Sequence, residues 1–201
     1  MITLYYATQS RSIRALWMLE EIGQPYRRVK LDIRAEDHPR PDFLKISPLG
    51  KVPAIVDGET TVAESGAVLL YLTERFPEAG LAPPPGDPRR GRFLQWLFFA
   101  AGNIEAGFTA KLQDLDLPHS TAGWGSFDHM MEVIEQALTP GPWLLGEQFT
   151  AVDVLLGVDL YFGQEVMQIV PHSPAIDAFL DRCRERPALH RAIAIDSGEV
   201  A

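Results

Sequence analysis

A stretch dominated by proline and glycine, residues 77–88 (PEAGLAPPPGDP), divides the chain into two halves of different character. Such a composition supports no regular element, so no part of a hydrophobic core can form there. Residues before it carry both strand and helix patterns, whereas residues after it carry helix patterns only. We therefore predict a domain at residues 1–78, a linker at 79–88 and an all-helical domain at 89–201.

Short runs rich in Tyr, Val and Ile indicate strands in the first half, and apolar residues at helical spacing indicate helices. The predicted order is strand 2–7, helix 10–22, strand 26–31, strand 52–56, strand 60–63 and helix 65–76. The first two strands flank a helix, so we expect them to be parallel, with a right-handed crossover. Asp57-Gly58 predicts a hairpin between the last two strands. The first half is therefore an α/β domain with a small mixed sheet.

The second half is predicted to consist of helices alone. Their expected bounds are 89–115, 126–138, 150–167, 175–186 and 188–195. Thr150 and Asp153 have the spacing of a capping box, with Asp in place of the usual Glu. We interpret this pair as a folding feature and not as part of a site.

The composition supports folded domains and disfavours several classes of function. Hydrophobic residues make up 46% of the chain, enough to bury a core, and the net charge of −9 disfavours nucleic-acid binding. Cys183 is the only cysteine, which excludes an intrachain disulfide and a CxxC pair and fits a reducing, cytoplasmic location.

The sequence carries no pattern for a metal or a membrane. The histidines lack the paired spacing of a metal site. The longest apolar stretches, such as 96–102, are too short to span a bilayer. The first residues lack the basic and then apolar pattern of a signal peptide, so we expect none.

Four segments in order resemble the glutathione transferase superfamily. They are TQSRSIRALWMLEEIG, SPLGKVPAIVDG, AESGAVLLYL and, in the helical half, FTAVDVLLG. The resemblance covers nearly the whole chain and implies a cytosolic, serine-type member similar to bacterial ones. It implies a thioredoxin-like domain followed by a helical domain, with glutathione as co-substrate and a homodimer as the assembly.

The resemblance also implies how glutathione is held. Proline is the residue that adopts a cis peptide at modest cost, and a cis Val52-Pro53 bond would turn the Val52 backbone towards an extended peptide. Ser65 is predicted to cap a helix whose N-terminus receives the γ-glutamyl carboxylate, while Glu64 pairs with the ammonium group. The alternative is a trans proline followed by an ordinary capping serine beside a surface acid.

Further contacts follow from the resemblance alone. Lys51 and His38 are candidates for the glycine carboxylate of glutathione, although both fit equally well as solvated surface groups. The electrophile is expected between the domains, with candidate residues Tyr6, Ile13, Asn103, Gly107 and Phe108. Each of these five residues also fits an ordinary structural role.

Ser10 is the predicted catalytic residue. A hydroxyl at the start of the first helix can donate a hydrogen bond to the glutathione sulfur, which lowers the thiol pKa from a free value of ~8.5. Ser10 lies four residues before Arg14, the spacing that serine-type members of the family show. Ser12, Thr8 and Tyr6 are alternative donors, and Ser10 can instead simply cap its helix.

We therefore expect a glutathione transferase that attacks small hydrophobic electrophiles, with detoxification as the implied role. A glutathione-dependent isomerase, dehalogenase or peroxidase fits the same fold, because the fold alone does not determine the second substrate. A non-catalytic binding or scaffold protein is the alternative of a different class.

Overall fold

The computed structural model describes residues 1–199 and divides the chain into two compact units. The first unit comprises Met1–Ala79 together with the described residues from Arg186 onward, and the second is Gly80–Glu185. The strands are β1 Thr3–Tyr6, β2 Arg27–Lys30, β3 Ala54–Asp57 and β4 Thr60–Ala63. The helices are α1 Ile13–Ile22, α2 Pro41–Leu44, α3 Ser65–Arg75, α4 Arg90–Phe98, α5 Glu105–Leu112, α6 Phe127–Leu138, α7 Ala151–Tyr161, α8 Pro174–Arg184 and α9 Pro187–Ser197.

The strands form one mixed sheet in the order β2-β1-β3-β4. β1 pairs in parallel with β2 and antiparallel with β3, and β3 pairs antiparallel with β4. The parallel first pair and the hairpin at Asp57-Gly58 are both confirmed, and Gly58 has the positive φ of 61° that its turn requires. Leu4 and Ile55 at the sheet centre are fully buried. The first unit is therefore the small α/β domain that the sequence predicts.

Helix α1 is covered on more than one side. Every residue from Ile13 to Leu19 is buried, and the helix packs against β1, α3 and α9. Gly23 ends it in the left-handed conformation, with φ 72°, and donates its N–H to the Leu19 carbonyl. The apolar residues of α1 are thus packed on more than one face of the helix.

Helix α9 belongs to the first unit because charged pairs bind it to α1. The Arg186 guanidinium donates two hydrogen bonds to Glu21, at 2.6 and 2.7 Å, and Arg191 Nε lies 2.8 Å from a Glu20 carboxylate oxygen. A bidentate guanidinium–carboxylate pair is a strong and directional contact. The sequence predicts that the last helix belongs to the helical domain at 89–201. That domain boundary stays a prediction, and the structure groups the last helix differently.

The second unit consists of helices, and its best-defined cap is the start of α7. Asp153 is fully buried and accepts the backbone N–H of Thr150 at 2.8 Å and that of Leu144 at 2.9 Å. The capping box predicted at this position is present. Its carboxylate therefore fixes the helix start and the preceding loop together.

Two predicted helices do not continue as single α-helices. The predicted helix at 89–115 is α4, a π-helical segment at Phe99–Ile104, and α5, while α7 passes into another such segment at Phe162–Val166. The prediction of uninterrupted α-helices was wrong here, because apolar spacing indicates a helix without showing where i→i+5 hydrogen bonds replace the usual i→i+4 bonds. At Gly163 a Cβ atom would lie 2.4 Å from Val170, so the second segment depends on glycine for close packing.

Asp57 joins the hairpin to α3. Its carboxylate accepts a hydrogen bond from Arg75 Nε at 2.9 Å and another from the Tyr71 hydroxyl at 3.1 Å. The Arg75 bond lowers the pKa of Asp57 below its usual value of 3.8, and partial burial opposes that shift. The ionised carboxylate is therefore the form that stabilises the folded state.

We predict that Asp57→Asn lowers the melting temperature at neutral pH by about 2–4 °C, for a loss of about 1 kcal/mol. Because the folded-state pKa is depressed, this contribution is present above the unfolded-state value and is lost as the pH falls through the folded-state value. Thermal unfolding of both proteins between pH 7 and pH 3 tests this. Exposed Glu59→Gln in the adjacent turn is the control. A deficit of equal size at every pH would contradict the prediction.

Candidate functional site

The sheet topology brings three connecting segments to one edge. Tyr5 pairs with Ala54, and Ala54 pairs with Ala63. Since β3 runs antiparallel to both neighbours, the residues after β1, before β3 and after β4 all leave the sheet at the same end. These are the segments that carry the predicted catalytic serine, the predicted cis proline and the predicted Glu-Ser pair. The fold thus places most of the predicted glutathione contacts together.

Two serine hydroxyls share one backbone carbonyl in the segment after β1. Ser10 Oγ lies 2.7 Å from the Ala7 carbonyl oxygen and 2.7 Å from Ser12 Oγ. Ser12 Oγ donates to the same carbonyl at 2.9 Å and accepts the Ala7 N–H at 3.2 Å. Ser12 is fully buried, whereas Ser10 is half-buried. Ser12 therefore stabilises the loop through the Ala7 backbone, and Ser10 has the more accessible hydroxyl.

The other predicted residues of this region differ in exposure. Tyr6 is the last residue of β1 and is only 8% exposed, Thr8 is half-buried, and Ile13 is buried at the first position of α1. α1 begins three residues after Ser10, so the Ser10 side chain does not cap the helix directly. Which hydroxyl would act on a bound thiol stays a prediction.

The Val52-Pro53 peptide is cis, as predicted. Val52 lies outside the paired registers of the sheet, which end at Ala54. The adjacent Lys51 backbone is held by Ser47, whose hydroxyl donates to the Lys51 carbonyl at 2.8 Å and accepts its N–H at 3.1 Å. The Lys51 side chain is exposed. The backbone of this segment is thus fixed by a buried side chain, while its one ammonium group faces solvent.

His38 supports this segment through Gly50. Its Nε2 donates to the Gly50 carbonyl at 3.0 Å, and its ring lies 5.8 Å from that of Phe43. Gly50 has a φ of +64°, and a Cβ atom there would lie 2.5 Å from Pro39 Cβ. His38 is thereby engaged in a structural contact, and its predicted role towards a glycine carboxylate stays untested.

The Glu64-Ser65 pair stands at the beginning of α3. Glu64 is the N-cap residue and has φ 71°, a conformation that non-glycine residues rarely adopt. The prediction of Ser65 as the N-cap is therefore wrong: the helix begins one residue earlier than expected, so Ser65 is its first residue and Glu64 takes the cap position. Its hydroxyl accepts a hydrogen bond from Arg14 Nη1 at 3.2 Å, and Arg14 is only 3% exposed. Strained backbone beside a helix N-terminus is typical of binding sites.

The predicted electrophile residues of the helical unit lie in different environments. Phe108 is 4% exposed, and its ring packs 6.0 Å from that of Phe127. Gly107 is buried, and a Cβ atom there would lie 2.9 Å from Met130. Asn103 is half-buried in the first π-helical segment. Core packing therefore accounts for Gly107 and Phe108, while Asn103 keeps a partly exposed side chain.

Three residues that shape the site were not predicted. Ser47 and Gly50 lie within the segment SPLGKVP, but no spacing rule singles out either of them. Arg14 is a charged residue in an otherwise apolar stretch, and this is the one signal that the sequence contained. The structure shows that its side chain is buried. Arg14 meets Ser65, 51 positions away, whereas the partners of Ser47 and Gly50 lie 4 and 12 positions along the chain.

Comparison with known proteins identifies the family. Residues 1–74 match the family model described as glutathione S-transferase, N-terminal domain. The chain is 33% identical to glutathione S-transferase 3 of Schizosaccharomyces pombe, over 82% of this chain and 75% of the relative. The chain belongs to the glutathione S-transferase family. Membership of this family indicates a glutathione-dependent function.

Other members of the glutathione S-transferase family are similar over nearly the full length. The disulfide-bond oxidoreductase YfcG of Escherichia coli is 31% identical, over 96% of this chain and 94% of that protein. A sphingomonad glutathione S-transferase, whose structure is complexed with glutathione, matches with a TM-score of 0.79 at 26% identity, over 97% of this chain and 98% of that one. The mixed sheet and the following helices therefore form the glutathione S-transferase fold.

The described part of this family member carries neither a metal cluster nor a membrane span. Within residues 1–199, no three His, Cys, Asp or Glu side chains gather in a group suited to a metal ion. Within the same range, none of the helices combines the length and the apolar character needed to cross a bilayer.

We predict that Gly50→Ala displaces the Lys51–Pro53 segment. An alanine there meets both a positive φ and the Pro39 ring, so we expect a loss of about 2 kcal/mol and a melting temperature lower by about 4–8 °C. Gly58→Ala is the matched control, because it has a similar φ of +61° but open space around its Cβ position. Differential scanning fluorimetry of the two variants measures the difference. Equal losses would show that the Pro39 contact adds nothing.

Proposed function

We propose that this protein binds glutathione at the shared sheet edge and lowers its thiol pKa through Ser10, so that the thiolate attacks a small hydrophobic electrophile. The observation that carries this proposal is the pair of serine hydroxyls on the Ala7 carbonyl. Ser12 alone can satisfy both polar groups of the Ala7 backbone. The Ser10 proton is then available to an incoming sulfur, while Ser10 Oγ still accepts the Ser12 N–H at 3.2 Å.

The remaining contacts follow from the chemistry of glutathione. The first turn of α3 contains no acidic residue, and its free N–H groups, with Ser65 and Arg14 behind them, suit the γ-glutamyl carboxylate. Glu64 is exposed beside this position and suits the ammonium group. Val52, outside the sheet pairing, offers its backbone to the cysteine of an extended tripeptide. The glutathione bound in the sphingomonad relative supports this assignment.

Conjugation needs no covalent bond between enzyme and substrate. The hydrogen bond from Ser10 favours the thiolate over the thiol, and α1 adds the positive end of its dipole. The thiolate attacks the electrophilic carbon, a leaving group departs with its electron pair, and the product is a thioether. Tyr6, Ile13 and Asn103 are our candidates for contact with the electrophile.

A second reaction is supported by the similarity to the oxidoreductase YfcG. In this reaction the bound thiolate attacks one sulfur of a disulfide and releases the other as a thiolate, giving a mixed disulfide. A second glutathione attacks the mixed disulfide, so that the products are oxidised glutathione and a second thiol. The protein needs no cysteine of its own for this chemistry, and its single cysteine, Cys183, is buried.

We predict that Ser10→Ala raises the pKa of bound glutathione by about one unit towards the free value of ~8.5 and lowers kcat/KM about tenfold or more. Glutathione affinity should change less than about threefold, because the other contacts remain. Thiolate absorbance against pH, with calorimetry for binding, measures both effects. An unchanged thiolate signal in Ser10→Ala would assign the role to another donor.

Ser12→Ala separates the two hydroxyls. It leaves the buried Ala7 N–H without its acceptor, so we expect a stability loss of about 1–3 kcal/mol, whereas Ser10→Ala should cost less.

Parallel assays with chlorodinitrobenzene and with a hydroxyethyl disulfide distinguish conjugation from disulfide reduction. Failure of the wild-type protein to bind glutathione would favour the scaffold alternative.

We further propose that the protein acts as a cytoplasmic homodimer in detoxification. The homodimer and the role are suggested by the family resemblance, and the reducing location by the single buried cysteine. Sedimentation equilibrium should give twice the chain mass of 22.4 kDa. A single species at the chain mass would contradict the dimer.

A further inference from the structure

The loop that carries Ser10 contains a strained residue held from the far end of the chain. Gln9 has φ 53°, in the left-handed region that a glutamine rarely adopts. Its backbone N–H donates to Asp196 Oδ2 at 3.0 Å, and the two residues are 187 positions apart. The turn that presents Ser10 is thus tied to α9 by one carboxylate.

Asp196 is set for this contact by the packing of α9. Arg191, about one turn earlier on the helix, binds both the carboxylate and the backbone carbonyl of Glu20 at 2.8 Å, which is one of several contacts that pack the helix on α1. The other oxygen of Asp196, Oδ1, is buried, and no hydrogen-bond donor of residues 1–199 reaches it. Burial raises the pKa of Asp196, while the Gln9 N–H and Lys30 oppose the shift. One oxygen of this half-buried carboxylate therefore accepts the Gln9 N–H, while the other is buried.

We propose that Asp196 is a positioning residue for the catalytic loop: it holds Gln9 in its left-handed conformation and so keeps the Ser10 hydroxyl directed at the glutathione sulfur. This inference rests on the proposed function for its catalytic part. It gives α9 a role in the proposed chemistry, and the resemblance to a thioredoxin-like domain does not imply this role. A charged acceptor suits the task, because an N–H bond to a carboxylate is stronger than one to a neutral amide.

Asp196→Asn keeps the shape of the side chain and weakens the bond. We expect the thiol pKa of bound glutathione to rise by about half a unit to one unit. We expect kcat/KM to fall about three- to tenfold, with the affinity for glutathione nearly unchanged. Hydrogen exchange of residues 8–12, followed by mass spectrometry in the absence of glutathione, should become about threefold faster or more.

Two further variants separate this contact from general loosening of α9. Arg191→Ala removes the neighbouring contacts to Glu20 but leaves the bond to Gln9 in place, so it should change neither the thiol pKa nor the exchange of residues 8–12. Gln9→Gly removes the cost of the positive φ. In that background, Asp196→Asn should shift the thiol pKa less than it does beside Gln9.

The outcomes distinguish this inference from the proposed function. A wild-type thiolate signal that Asp196→Asn leaves unchanged overturns the inference alone. The same loss in Arg191→Ala as in Asp196→Asn also overturns it, since helix docking would then be the cause. No thiolate signal in the wild type overturns the proposed function. The exchange data then decide whether Asp196 holds the loop, and unchanged exchange in Asp196→Asn rejects that as well.

Discussion

Burial of α1 on several sides is the constraint on which the first unit depends. The segment from Ile13 to Leu19 is entirely buried between the sheet, α3 and α9, so its position is determined by packing and tolerates little displacement. Arg14 reaches from this helix to the start of α3, and Glu21 binds Arg186, the residue that precedes α9. The loop that precedes α1 is anchored to this rigid helix, and the proposed role of Ser10 requires such a fixed position.

The candidate site combines this rigid helix with strained backbone. Gln9 and Glu64 both have positive φ values, and each immediately precedes a serine that the proposed chemistry uses. Such conformations persist only where other contacts over-determine them. The Asp196 carboxylate supplies one such contact for Gln9. The strained backbone at Gln9 is thus compensated by a contact from the other end of the chain.

The family and the reaction are determined by different features. The sheet order and the following helices form the glutathione S-transferase fold, and the family comparisons agree with it. The reaction depends on what meets the sulfur, and relatives of similar identity carry the names of a transferase and of a disulfide oxidoreductase. The fold therefore accounts for glutathione dependence, whereas it does not determine the second substrate.

Features encoded within a few residues were determined by the sequence alone. The hairpin at Asp57-Gly58, the stop at Gly23 and the Thr150–Asp153 capping box each follow from local hydrogen bonding and allowed φ values. The tertiary structure decided the contacts between distant residues, such as Arg186 with Glu21 and Asp196 with Gln9. It also decided that α9 joins the first unit and that extra residues enter two helices. The physical reason is that a local pattern specifies its own backbone, whereas a partner 187 positions away is selected only when packed helices bring it within hydrogen-bond distance.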